Sequence, residues 1–187
     1  MKNYDNIRVY GDADSGVWVA DKGADGPTDL ATEPAEFTEL GWLSEDGISL
    51  DRSEDATSFR AHQGGTVVRR KKTSVEDSFT FQCLEETADA MGLRYAGQTP
   101  VLTEAGGDVA KVTVTNQTKD DPRAWVVDEF DGDVHTRYVV PVGHAGSGSL
   151  AYSNSSMTVY EFTVTIIGDY EVYTNSPGVV AGASDPG

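Results

Sequence analysis

The chain is expected to fold as a mainly β protein, an antiparallel sandwich or barrel with one flanking helix, and three observations lead there. Apolar and polar residues alternate with period two through most of its hydrophobic stretches. The turn sequence Asp131-Gly132-Asp133, suited to a hairpin, separates two such stretches. Helical spacing occurs in one segment only, set between two groups of strand-like segments, and that order fits a mainly antiparallel architecture.

Taken in order, GVWVAD (16–21) and FTELGWLS (37–44) form an early pair of strands. From Val75, VEDSFTFQC places Val75, Phe79, Phe81 and Cys83 on one face and Glu76, Ser78, Thr80 and Gln82 on the other, with Asp77 intruding on the apolar side. LEETADAMGLRYAG carries Leu84, Ala88, Met91 and Tyr95 at i, i+4, i+7 and i+11, one face of a helix over about 85–96. Glu85 and Glu86 suit its first turn, where the helix dipole favours anions, and Gly97 suits the position just past its end. Gly92 inside it costs about 1 kcal/mol against alanine. VAKVTVT from Val109 groups Ala110, Val112 and Val114 on one face. AWVVDEF (124–130) and TRYVVPV (136–142) flank the turn, and TVYEFTVTII from Thr158 sets Tyr160, Phe162, Val164 and Ile166 opposite Glu161, Thr163 and Thr165.

Two segments fit a compact domain poorly. Residues 44–72 are polar, charged and too long for an ordinary connection, so they are expected to be a long functional or disordered loop. Residues 176–187, rich in Gly, Pro and Ser, are expected to be an extended C-terminal arm. Residues 1–175 then make one domain, which suits a chain of 187 residues.

Charge narrows the function. Asp and Glu number 31 against 14 Lys and Arg, a formal net charge of −17, and such a field repels nucleic acid and anionic membranes at long range. No stretch approaches the length of a membrane span, and the N-terminus lacks the apolar run of a signal peptide. Cys83 is the only cysteine and is expected to be a buried thiol in a protein made in a reducing cytoplasm. The sequons at Asn116 and Asn154 then carry no meaning for glycosylation. No nucleophile elbow, phosphate loop or His-Glu-x-x-His is present. His62, His135 and His144 lack metal spacing. Asp12-Ala-Asp14-Ser-Gly16 begins like a calcium loop but lacks a third ligand and the closing Glu, so it is a turn. Carboxylate pairs have no specificity in so acidic a chain. No catalytic residue, metal or cofactor is expected.

The run Arg69-Arg70-Lys71-Lys72 concentrates four of the 14 basic residues. Phosphate binding needs a broad positive footprint, yet Glu76 and Asp77 follow the run, Glu54 and Asp55 precede it, and no aromatics interleave for base stacking. A contact with an acidic protein surface fits better, and the first third of this chain is such a surface. Head-to-tail self-association follows, since a basic patch meeting an acidic patch on the next copy either closes into a ring or grows into a filament. Trp42, after Gly41 at a strand end, is expected first as a core residue and second as an anchor between subunits.

These residues also carry a family resemblance. NIRVYGDADSGVWVADKGADGPTDL, FTELGWLSEDGISL, the Gln63-Gly64-Gly65 turn with its basic end and SVEDSFTFQCLEET resemble the major tail tube proteins of long, flexible-tailed bacteriophages, in particular those infecting actinobacteria. The likeness is close over roughly residues 6–95 and looser beyond. It implies a sandwich-like pair of sheets with one flanking helix, related to the tube proteins of contractile injection systems. It implies rings of six subunits stacked into a hollow tube, with passing, non-specific contact with ejected DNA. By the same resemblance the long loop reaches between rings, with Arg52, Phe59, Arg69, Arg70, Lys71, Lys72 and Trp42 in subunit contacts, and Tyr4 and Ile7 belong to a reinforcing N-terminal arm. Implied partners are further copies, a tape measure protein and tail terminator and tip proteins. The implied location is the virion tail after assembly in the host cytoplasm, with no membrane involved. Glu76, Thr80, Glu161, Thr163 and Thr165 are candidate lumen residues, since a negative wall lets DNA slide past. The alternative is an acidic β-sandwich binding module for carbohydrate or a host surface; a hydrolase using paired carboxylates stands well behind both.

Overall fold

The computed structural model describes residues 2–104, 106–115 and 119–183. The sequon at Asn116 and the last four residues of the tail lie outside them. The elements run β1 (Gly16–Asp21), β2 (Thr38–Glu39), β3 (Ser49–Arg60), β4 (Val67–Cys83), α1 (Ala88–Arg94), β5 (Val101–Leu102), β6 (Ala110–Lys111), β7 (Pro122–Asp131), β8 (Val134–Ser147), β9 (Tyr160–Ile166), β10 (Glu171–Thr174) and α2 (Pro177–Val180).

Where alternation is strong in the sequence, strands form as expected. Phe79, Phe81 and Cys83 of β4 and Tyr160, Phe162, Val164 and Ile166 of β9 are all buried. The two strands pair with Phe81 opposite Phe162 and Thr80 opposite Thr163, so one face is apolar and the other polar. The Asp131–Val134 pair closes the β7–β8 hairpin. One antiparallel sheet runs in the order β2-β1-β7-β8-β9-β4-β3. β10 also pairs with β8, so β9 and β10 lie end to end along one side of that strand, with Ile166 opposite Gly143 and Glu171 opposite Val139. The break between them contains Gly168 at φ +82°, a conformation that glycine adopts without a Cβ clash.

The sheet curls on itself around a single core. Phe79 on β4 and Trp125 on β7 meet edge to face at 5.8 Å although β8 and β9 lie between their strands. Val17, Leu40, Val127, Val140 and Phe162 fill the space between. Past β2 the chain crosses to the far end of β4. Leu43 bridges Cys83, Ser44 N–H donates to Gln82 O at 2.9 Å, and Leu84 N–H donates to Trp42 O at 2.8 Å. The result is barrel-like, and that closure pairs backbone groups that an open edge would leave free.

A second buried layer lies on the opposite face of β7 and β8. Asp128, Arg137 and His135 are buried there. Arg137 Nε and Nη2 donate to the two Asp128 carboxylate oxygens, each at 2.7 Å. Its Nη1 donates to Asp29 O at 2.9 Å and Thr32 O at 2.6 Å, both in the β1–β2 connection. His135 stacks on Phe130 with ring centroids 4.0 Å apart.

Four expectations change. Residues 49–60 and 67–72 are strand rather than loop. Both faces of that ribbon are polar, so hydrophobic alternation had nothing to show there. The helix is shorter than 85–96: Thr87 caps it, its Oγ1 accepting from Ala90 N–H at 3.1 Å. Ahead of the cap, Glu85 turns away to accept from Trp42 N–H at 2.9 Å. The buried face is therefore Ala90, Gly92 and Leu93, and Ala88 is exposed. VAKVTVT contributes only the two-residue, exposed β6, paired with β5. In the tail, α2 adds one helical turn with Pro177 at its start, where the missing N–H costs nothing.

Candidate assembly surfaces

The last residue of β4 paired with β9 is Ser78, opposite Thr165. From there outward β4 has only β3 beside it, and the two strands project as a ribbon whose residues are exposed on both faces. A free two-stranded ribbon is marginal in water. This one is continuous with the core half of β4, and local polar contacts reinforce it. Arg52 reaches Asp77 at 3.3 Å and Glu54 at 3.4 Å, Lys72 pairs with Glu54, Ser74 Oγ donates to Asp55 Oδ2 at 3.1 Å, and Arg60 Nη1 donates to Gly65 O at 2.9 Å. Exposed ion pairs of this kind contribute little to stability, because water screens them and ordering two long side chains costs entropy. The hydrogen bond and charge of Lys72 hold the Glu54 carboxyl below the usual glutamate range.

Register divides the basic run. Arg69 stands opposite Phe59 and Lys71 opposite Thr57, while Arg70 stands opposite Ser58 and Lys72 opposite Ala56. Residues opposite one another share a face and neighbours along a strand do not. Arg69 and Lys71 therefore share a face with the half-exposed Phe59, and Arg70 and Lys72 occupy the reverse. The four residues are two small patches rather than one. Among the described residues, Arg69, Arg70 and Lys71 make no ion pair.

The five candidate lumen residues lie on one continuous face. Thr80 Oγ1 and Thr163 Oγ1 share a hydrogen bond of 2.9 Å. Gln82 Nε2 donates to Glu161 Oε2 at 3.1 Å. Thr165 opposes Ser78, and Glu76, two residues further, opposes Ser53 at the root of the ribbon. The same face includes Asp51 and Asp55, opposite Ser78 and Ser74. Sequence reading missed both because they sit in the segment taken for a loop. From Gln82 to Ser74 the β4 residues of this face are Gln82, Thr80, Ser78, Glu76 and Ser74, none of them basic.

Trp42 is 68% exposed, which overturns its reading as core. Leu43 takes the inward position through its bridge to Cys83, and its strand neighbour must point the other way. Gly41, at φ +79°, precedes it, and a Cβ there would fall 2.5 Å from Glu85 Oε1. That close approach is what lets Glu85 hold the Trp42 backbone. The indole borders two concavities. One, of about 460 Å³, includes Asp12, Glu45, Asp46 and Glu129. The other, of about 370 Å³, includes Glu39 and Glu85. Burial pushes the Glu129 carboxyl up, against a Ser15 hydrogen bond that lowers it.

Tyr4 and Ile7 are 86% and 65% exposed, on and beside a 3-10 turn at Tyr4–Asn6. Beyond them Val9 N–H donates to Asp131 Oδ2 at 3.3 Å and Gly11 N–H to Phe130 O at 3.1 Å. Among the described residues no group of three or more His, Cys, Asp and Glu is placed to hold a metal. Cys83 is buried, and its thiol is pushed up to about 12 by burial and then by Glu85.

A family model described as phage tail tube protein matches residues 2–167. The chain belongs to the phage tail tube protein family. Its function is structural, as a building unit of a tail tube. Among solved structures, this tail tube protein is similar to a chain in the virion of a native gene transfer agent particle, at 11% identity over 88% of this chain and 98% of that one, with a TM-score of 0.45. It is similar to a chain in the tail of an empty gene transfer agent particle with C6 symmetry, at 11% identity over 91% and 98%, TM-score 0.42. A chain in the sheath–tube complex of an extracellular contractile injection system, in its extended state, gives 11% identity over 92% and 98%, TM-score 0.35. No curated protein matches the chain. The family match carries the identification.

Proposed function

We propose that six copies of this tail tube protein form a ring, that rings stack into a hollow tube, and that the β3–β4 ribbon reaches from one ring to the next. The observation that carries this is the ribbon itself. Beyond the last β4–β9 pair, Arg52–Arg60 of β3 and Val67–Asp77 of β4 run on with no third strand beside them, and in a protein that works as a polymer the missing partner is another copy. The number six comes from the sequence resemblance to major tail tube proteins, as does assignment to long-tailed phages of actinobacteria. The polar face with Thr80, Thr163, Thr165, Glu161 and Glu76 lines the lumen, where like charge keeps DNA from adhering during ejection. A tape measure protein occupies that lumen before ejection, and terminator and tip proteins cap the ends. Assembly takes place in the host cytoplasm, and the protein catalyses no reaction. No described helix is long and apolar enough to cross a membrane.

Electron microscopy of the concentrated, purified protein tests the proposal. Hollow tubes with six-fold end views are expected. Persistent monomers that bind glycan, through a surface such as exposed Trp42, would instead support the acidic binding module.

A further inference from the structure

Two features of the surface lack partners within the chain, and they stand at opposite ends of one strand. At the tip of β4, Arg69 and Lys71 share a face with Phe59 and make no ion pair among the described residues. At the other end, Cys83 bridges Leu43 and so turns Trp42 outward. Trp42 stands between concavities lined by Asp12, Glu39, Glu45, Asp46, Glu85 and Glu129, with no Lys or Arg among the lining residues. The 17 residues of β4, at about 3.3 Å each, separate these ends by roughly 50 Å. A contact between them cannot form within one copy. Between copies it is heterologous and repeats along the direction of the strand, which is the geometry of open growth.

We infer that the Phe59–Arg69–Lys71 face of the ribbon docks on the Trp42 rim of a second copy. This rests on the proposed stacking role of the ribbon and adds the receiving surface. The chemistry fits on three counts. A guanidinium over an indole face is attracted by the ring quadrupole, most strongly when both are desolvated. The surrounding carboxylates answer the two free cations. Phe59 supplies an apolar surface to set against the indole, and aromatic and arginine anchors dominate interface energetics. The reverse face of the ribbon is the weaker candidate because Lys72 is already tied to Glu54.

The test compares tube assembly of the full-length wild type with Trp42→Ala, the pair Arg69→Glu/Lys71→Glu, and the pair Glu45→Lys/Asp46→Lys, each first checked by circular dichroism and as a monomer in solution. All three variants change exposed side chains. Each is expected to raise the critical concentration for tube assembly at least about tenfold, as loss of a central anchor does. Combining the two charge-reversed pairs in one chain is expected to restore assembly in part. Normal assembly by Arg69→Glu/Lys71→Glu overturns the inference. So does wild-type behaviour of both Trp42→Ala and Glu45→Lys/Asp46→Lys beside a failing ribbon variant, an outcome that leaves the tube reading standing with a different receiver. Failure of the wild type to form tubes under any condition overturns the tube reading itself.

Discussion

Phe79 and Trp125 touch edge to face at 5.8 Å across the interior, from strands that two others separate. Both are fully buried, and their contact marks where the curled sheet meets itself. Phe79→Ala is expected to cost about 3–5 kcal/mol, since the surrounding strands cannot collapse into the space left behind. Ser58→Ala on the exposed ribbon is expected to change stability by less than about 0.5 kcal/mol. Urea unfolding of the monomer measures both.

Arg137 and Asp128 form a buried, two-pronged pair on the other face of the sheet, and Arg137 also holds two carbonyls of the β1–β2 connection. Arg137→Met strips the guanidinium from a buried carboxylate, leaving only His135 Nε2 at 3.0 Å beside it, and is expected to cost about 3–5 kcal/mol. Replacing both residues, as Asp128→Leu/Arg137→Met, is expected to recover much of that loss, because the double variant buries no lone charge. A thermal-unfolding series over the two single variants and the double one checks this.

Cys83 is buried, and its thiol is pushed up to about 12. Since the thiolate is the reactive form, a thiol reagent at mildly alkaline pH is expected to label Cys83 only as fast as the chain opens, and fully in denaturant. Rapid labelling of the native protein would mean that the Leu43–Cys83 closure opens readily.

Glu54 sits on the ribbon with its carboxyl held below the usual range, first by Lys72. A carboxyl lowered by folding stabilises the folded state above its unfolded value and loses that contribution as pH falls through the lowered value. The Glu54–Lys72 contact therefore holds at neutral pH and fails in acid. Lys72→Ala is expected to move Glu54 titration upward, and so is high salt, which screens exposed pairs. Carboxyl chemical shifts followed by NMR across pH read the change directly.

Much of the fold was legible because its signal is local. Phe79, Phe81 and Cys83 alternate with Thr80 and Gln82 in the sequence itself, and burial follows the alternation. Tyr160 to Ile166 behave the same way. The ribbon was not legible as strand because no face of it is apolar, and the helix boundary shifted because a cap at Thr87 outweighs a weak apolar stripe. The candidate lumen residues were named singly from their strands. That they share one face with Asp51 and Asp55 depends on β3 pairing with β4, which no local pattern encodes.

The sequence by itself determined the mainly β class, the core faces of β4 and β9, the β7–β8 turn and an acidic surface that repels nucleic acid. Period-two burial, turn chemistry and net charge are properties of neighbouring residues or of simple sums. Only the tertiary structure decided that Trp42 faces outward, that the four basic residues split between two faces, and that Arg137 finds Asp128. Trp42 is set by the bridge of Leu43 to Cys83, distant in sequence, and the other two by register within the β3–β4 and β7–β8 hairpins, where a shift of one residue reverses which side chains meet.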